Sequence, residues 1–219
     1  MLTTIFYHVD NFCKDFNQYL EKRELGNKAK RGPQCSLSQS EILTILIFFH
    51  RSGKRTFKDY YQTYIRGFFA SAFSKTPSYN RFVELIPSCA MHMYMFLQLY
   101  RLGAVTGVAY IDSTPLPVCH NLRISSHRVF KDIAARGKTS TGWFYGFKLH
   151  LIINELGEII AFDLTPGNVD DRNRSVINKL TQRFKGKLFG DRGYISGPLF
   201  KELFARGIRL FTRVKKTMK

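Results

Sequence analysis

Apolar residues at the start of the chain recur at helical spacing. Phe6, Val9, Phe12, Phe16, Tyr19 and Leu20 form one stripe, which predicts a helix with a single buried face. A basic loop follows at residues 26–33, with two glycines, a proline and Lys28, Lys30 and Arg31. Ser38-Gln39-Ser40-Glu41 has the form of a capping box. It opens a helix that should bury Ile42, Leu43, Ile45, Leu46 and Phe49 and stop near Gly53. Lys54-Arg55-Thr56 reads as a basic turn, after which Phe57, Tyr60, Tyr61, Tyr64 and Ile65 return to helical spacing. Residues 78–101 predict a further helical stretch interrupted at Pro87, with Met91, Met93, Tyr94, Met95, Phe96, Leu97, Leu99 and Tyr100 as core. Residues 1–103 are therefore expected to be helical throughout. Short helices joined by tight basic turns suit a helix-turn-helix-like DNA-binding unit, a pattern shared with plain helix packing.

At residue 105 the periodicity changes. Residues 105–111 are a strand-like run ending at Asp112, and residues 115–142 are polar and basic. Residues 143–154 alternate, Gly157 supplies a hairpin turn, and residues 159–164 return as a strand before Thr165-Pro166-Gly167-Asn168 breaks it. Asp170 and Asp171 stand where they would cap a helix carrying Val176, Ile177 and Leu180. Residues 187–189 form a short strand leading to Asp191. Pro198 opens a helix that Gly207 closes, and residues 208–214 form a last strand. The order over 104–219 is β-β-β-α-β-α-β: a meander, then alternation. The expected class is α+β, a helical region followed by a mixed sheet with the strand order of a ribonuclease-H-like core.

Charge adds a partner to this picture. The chain has 34 Lys+Arg against 16 Asp+Glu, a formal net charge of +18. Both halves share the excess, so it points to a polyanion-binding folded surface and not to a basic tail. The four cysteines form no metal-ligand or disulfide spacing and read as reduced thiols. The start of the chain does not read as a signal peptide, and the longest apolar run, residues 42–49, is too short for a membrane span. A cytoplasmic, membrane-free protein is expected.

Two acids at the ends of separate strands carry the candidate chemistry. Taken singly, Asp112 would cap the turn Ser113-Thr114-Pro115, and Asp191 the turn Arg192-Gly193. Taken together, at strand ends in a strongly basic chain, they form a site for Mg²⁺ or Mn²⁺, hard cations that take oxygen ligands. Other groups have plainer readings. His120 and His127 are packed or surface residues of the basic insertion, Trp143 packs at the start of its strand, and Glu202 lies on a solvated helix face. Lys148 and His150 alternate with Phe147 and Leu149, which gives their strand one polar face for DNA or solvent.

Four motifs, Tyr110-Ile111-Asp112-Ser113, Phe144-Tyr145-Gly146-Phe147-Lys148-Leu149-His150, Thr165-Pro166-Gly167-Asn168-Val169-Asp170-Asp171 and Gly190-Asp191-Arg192-Gly193-Tyr194, resemble the DDE domain of bacterial insertion-sequence transposases. The resemblance spans roughly residues 105–214. It implies that Asp112 and Asp191 are the first two catalytic and metal-binding acids, with Mg²⁺ or Mn²⁺ as cofactor. It further implies cleavage at transposon ends followed by strand transfer, DNA ends and target DNA as partners, and a homo-oligomer. Lys28, Lys30, Arg31, Lys54, Arg55, Arg123, Arg128, Lys131, Lys148 and Arg192 are then the candidate nucleic-acid contacts. The family's third acid, a Glu, lies on a helix after the last strand. Here only Lys215-Lys216-Thr217-Met218-Lys219 follow that strand, so the resemblance implies a C-terminally truncated transposase lacking its last helix and inactive alone. The alternatives are a non-catalytic DNA-binding remnant that modulates the full-length enzyme, and a ribonuclease-H-like nuclease.

Overall fold

The computed structural model describes residues 1–23, 36–73, 75–140 and 142–213. Lys28, Lys30 and Arg31, with the rest of the loop at 26–33, lie outside the described residues, as do residues 214–219. The chain forms two compact units, Met1–Arg101 and Leu102–Lys219.

The first unit is helical. Helix α1 (Leu2–Lys22) buries Val9, Phe12, Cys13 and Phe16 along its stripe. Helix α2 (Gln39–Phe49) starts at a complete capping box: the Glu41 N–H donates to Ser38 Oγ at 3.1 Å, and the Ser38 N–H donates to Glu41 Oε2 at 2.7 Å. Phe48 is buried while Leu46 and Phe49 are only partly so. The helix is apolar nearly all round, so its sequence does not mark the inward face. Helix α3 (Phe57–Tyr60) runs into a π-helical segment, Tyr61–Phe68. The buried Tyr60 hydroxyl donates to Ile45 O at 2.9 Å. Helix α4 (Tyr79–Leu85), a 3₁₀ turn (Ile86–Cys89) and α5 (Ala90–Tyr100) follow, and the interruption falls at Pro87 as expected. The run Tyr79–Tyr100, mean hydropathy 1.2, is long and apolar enough to cross a bilayer by length and composition. In this unit it packs Phe82, Cys89, His92 and Phe96 into the helical core. Met91, Tyr94, Leu99 and Tyr100, expected as core, are exposed, because only one stripe of α5 faces inward.

The second unit is a six-stranded mixed sheet with helices α6 (Arg174–Leu180) and α7 (Gly197–Ala205). Its strands are β1 (Val108–Cys119), β2 (Ala135–Thr139), β3 (Gly142–Asn154), β4 (Ile159–Pro166), β5 (Gly186–Gly190) and β6 (Ile208–Thr212). Strand β3 pairs antiparallel with both β1 and β4, and β1, β5 and β6 run parallel. The path β4-β3-β1-β5-β6 is the ribonuclease-H-like order expected from the meander-then-alternation pattern.

Two features differ from the sequence reading. Strand β1 does not stop at Asp112 but continues antiparallel to β3 as far as Cys119. Its pairing with β5 ends at Ile111↔Gly190, so one edge of β1 is open beyond that point. Pro115 and Pro117 share the strand phase of Ser113, whose N–H turns to the Asp112 side chain and not to a neighbouring strand. Prolines at that phase forfeit no ladder bond. The basic insertion also contributes an extra strand, β2, whose Ala135-Arg136-Gly137-Lys138-Thr139 has no apolar alternation and is held by pairing with residues 142–146 of β3.

The core lies on one sheet face. Ala109, Ile111, Ile152, Leu188, Ile208 and Leu210 meet Val176, Ile177 and Leu180 of α6 and Leu199 and Leu203 of α7. On the other face Tyr110, Phe189 and Phe211 stack in a row, with ring centroids 5.5 and 5.0 Å apart.

Candidate metal centre

Residues 108–111 of β1 pair in parallel register with 187–190 of β5, ending at Ile111↔Gly190. Asp112 and Asp191 are the next residue along the chain in each case, so the register sets the two acids side by side where the parallel pairing of β1 and β5 ends. Both are exposed. Asp112 Oδ1 accepts from the Ser113 N–H at 2.8 Å, and Asp191 Oδ1 accepts from the Gly193 N–H at 2.8 Å. Among the described residues the other oxygen of each is unengaged. Asp191 is thus also the cap of a short 3₁₀ turn, Arg192–Tyr194. Asp112 caps no turn, because β1 runs on through Ser113-Thr114-Pro115.

Behind Asp112 lies a polar network that the sequence reading missed. Ser113 and Lys148 both donate to Asp171 Oδ1, at 2.8 and 3.1 Å, and Lys148 donates also to Val169 O at 2.9 Å. Lys148 is only 8% exposed, so this candidate DNA contact is corrected: its side chain is buried against Asp171. His150 is buried too, bonded through Nε2 to Thr165 Oγ1 at 2.9 Å. Both sit at alternate positions of β3 in phase with buried Ile152, on the face that α6 and α7 cover, where polar groups must find internal partners. Asp171 is therefore no helix cap. Asn173 caps α6, accepting from Ser175 and Val176, while Asp170 is pulled down to about 2 by the Arg172 side chain that forks onto it. Glu202, read as solvated, accepts from Asn178 at 2.6 Å and faces Arg174 at 3.6 Å.

Tyr194, just past Asp191, belongs to the core of the sheet unit. Gly190 leaves room for its ring: a Cβ there would meet Tyr194 Cδ2 at 3.1 Å and Ile111 Cγ2 at 3.0 Å. The residue is 2% exposed, and its hydroxyl has no hydrogen-bond partner among the described residues. Burial raises its pKa well above the ordinary phenol value. The carboxylates of Asp171, Asp112 and Asp191 add to the rise, while Ser113, whose own proton goes to Asp171, opposes it.

Burial lowers the pKa of His150, with Asp171 and Asp163 opposing and Lys148 adding to the shift; burial lowers His92 as well. The folded state thus prefers neutral imidazoles, and the unfolded chain takes up protons at higher pH. Stability is full above the ordinary histidine range and falls as the pH drops through it. Urea midpoints should decrease from about pH 7.5 to about pH 5, and His150→Gln should shrink that decrease.

Of the other candidates, Arg123, Arg128 and Lys131 are exposed on the segment between β1 and β2, and Arg192 is exposed beside Asp191. Arg55 is exposed, whereas Lys54 is half-buried and paired with Asp59 at 2.9 Å. Trp143, expected to pack, is 61% exposed, with Lys138 Nζ 5.6 Å from its ring. His120 Nδ1 accepts from the Leu122 N–H, and the His127 ring stacks on Phe130, so neither serves the acids.

Two exposed carboxylates with free oxygens suit a hard divalent cation. Among the described residues no three His, Cys, Asp or Glu side chains stand close enough to hold an ion. A site of this kind suits a cation that keeps several waters and takes further oxygens from a phosphate.

The sequence profile of the family described as Transposase DDE domain matches residues 102–219. No curated protein matches the chain. Among solved structures it is similar to a piggyBac transposase synaptic complex with hairpin DNA, at 11% identity and a TM-score of 0.44, covering 99% of this chain and 49% of that one. It is also similar to a simian T-cell lymphotropic virus intasome, at 12% identity and a TM-score of 0.31, covering 67% of this chain and 47% of that one. The Mos1 strand transfer complex is similar at 10% identity and a TM-score of 0.28, covering 94% and 68%. The chain spans about half the length of the first two of these structures.

Proposed function

Because the chain belongs to the transposase DDE-domain family, we propose that it is the transposase of a bacterial insertion sequence, acting in the cytoplasm on transposon ends and target DNA as a homo-oligomer. The observation that carries this reading is the parallel register that sets Asp112 beside Asp191. The two carboxylates, each with an unengaged oxygen, would hold Mg²⁺ or Mn²⁺. When bound, the cation lowers the charge cost of in-line displacement at phosphorus. The Ser113 and Gly193 amides orient the carboxylates, and Asp171 anchors β1 through the Ser113 hydroxyl. Arg192, exposed and next in the chain to Asp191, would meet a strand phosphate. Arg123, Arg128 and Lys131 are further candidate phosphate contacts of the sheet unit, and Arg55 is one of the helical unit.

Duplex DNA carrying the element's ends should bind with a steep salt dependence, because each phosphate contact releases counterions. The triple variant Arg123→Glu, Arg128→Glu, Lys131→Glu should reduce the log–log salt slope by about 3. An unchanged slope would remove this segment from the DNA surface, and no binding at low salt would overturn the DNA reading.

A non-catalytic reading of this 219-residue chain is favoured by one observation: Glu202 is engaged with Asn178 and Arg174 and gives the two acids no third partner. We therefore expect the chain with Mn²⁺ to bind end DNA with little or no nicking at the 3′ ends. Strong nicking that disappears in Asp191→Ala would sink this second reading and support the enzyme.

A further inference from the structure

Trp143 is the one tryptophan of the chain, and it is 61% exposed. It stands on β3 in phase with Tyr145 and Phe147, so the three rings share one sheet face. The segment between β1 and β2 covers the other two. His127 meets the Tyr145 ring edge to face at 6.0 Å, and Phe130 meets Phe147 in the same way at 5.5 Å. The indole is left open beside Lys138, whose Nζ lies 5.6 Å from its centroid. Lys138 is directly opposite Trp143 in the β2–β3 register and Arg136 is opposite Tyr145, so both exposed cations stand on the face of the ring. The backbone beneath is pinned: Asn121 Nδ2 donates to Trp143 O at 2.7 Å, and Thr139 Oγ1 donates to Gly142 O at 3.2 Å. An indole held in place, open to solvent and flanked by cations has the parts of a base-stacking site.

We propose that Trp143 is a stacking site for an unpaired base of a DNA strand, with Lys138 and Arg136 meeting that strand's phosphates. The inference rests on the DNA reading of the chain and narrows it to single-stranded DNA at this place. Stacking on an aromatic ring needs the planar face of a base, and a paired, stacked duplex offers only base edges and phosphates. Charge selects the occupant. The apolar side chain of a protein partner could cover an indole, but it would leave Lys138 and Arg136 without a counter-charge. Neither cation forms an ion pair among the described residues, and the chain as a whole carries a formal net charge of +18. A nucleotide supplies both requirements at once, a flat ring and an anionic phosphate.

Because the chain has one tryptophan, its fluorescence reads this site alone. The test titrates the full chain in metal-free buffer with a single-stranded dT oligomer of about 16 nucleotides, and with a duplex of equal length. Tryptophan emission and the anisotropy of a label on the DNA are followed together. The single strand should quench the emission, and the duplex should leave it nearly unchanged. Trp143→Ala should lose about tenfold in affinity for the single strand while keeping its duplex affinity and its salt slope, since a stacked ring contacts no phosphate. Trp143→Phe should keep most of the single-strand affinity. Unchanged emission at saturating single strand overturns the proposal, whether or not the variants fold. So does full single-strand affinity in Trp143→Ala, or an equal loss on both DNAs. A blue shift with anionic phospholipid vesicles in place of a quench with DNA would assign the ring to a membrane surface and overturn it too. If neither DNA binds at low salt, the DNA reading itself fails, an outcome distinct from failure of Trp143 alone.

Discussion

Asp112→Asn and Asp191→Asn should each weaken Mn²⁺ binding by about 100-fold or more while leaving the fold intact. The site offers two protein carboxylates, so removing either charge halves the anionic ligand set for a hard cation. Asparagine keeps the acceptor oxygen that each backbone amide uses, so the Ser113 and Gly193 contacts survive. Without metal the two acids are like charges at facing positions of neighbouring strands, an arrangement that costs up to about 1 kcal/mol. Each single variant should therefore melt at the same temperature as the unsubstituted chain or slightly higher in metal-free buffer, and lose the rise that Mn²⁺ gives it. Calorimetric titration and thermal melts with and without Mn²⁺ check both halves. Unchanged affinity in both variants would refute the paired-acid site.

The second large effect lies behind the site. Asp171→Ala should destabilise the chain by about 3 kcal/mol, because it leaves the Lys148 ammonium buried with Val169 O as its remaining described acceptor. The double variant Asp171→Ala, Lys148→Met removes the stranded charge and should recover most of that loss. Asp171 also anchors Ser113, the residue after Asp112, so the single variant should weaken Mn²⁺ binding as well. Urea unfolding of the two single variants and the double variant provides the cycle. A double variant as unstable as Asp171→Ala would show that the pair is not what Asp171 contributes.

Much of the architecture is legible in local pattern. The capping box at Ser38 and Glu41, the interruption at Pro87, the Gly157 hairpin and the proline opening of α7 depend on neighbours within a few residues, and each forms where the sequence places it. An acid just before a helix suggests a cap, and only the fold shows that Asn173, not Asp171, takes that place. Lys148 looked solvent-facing because alternation separates the two faces of a strand without saying which is covered.

The sequence by itself determined the order of elements other than β2, the mixed α+β class, the excess of basic residues and the two acids that follow strand-like runs, because all of these follow from residue type and short-range spacing. The tertiary structure alone decided that Asp112 and Asp191 are neighbours in register, that β1 continues past its acid, that β2 exists, and that Lys148, Asp171 and Ser113 interlock behind the site. The physical reason is common to all four. Strand pairing and the satisfaction of buried charge are settled between segments far apart in the chain, by which edge is open and which face is covered, and short-range spacing carries no record of either.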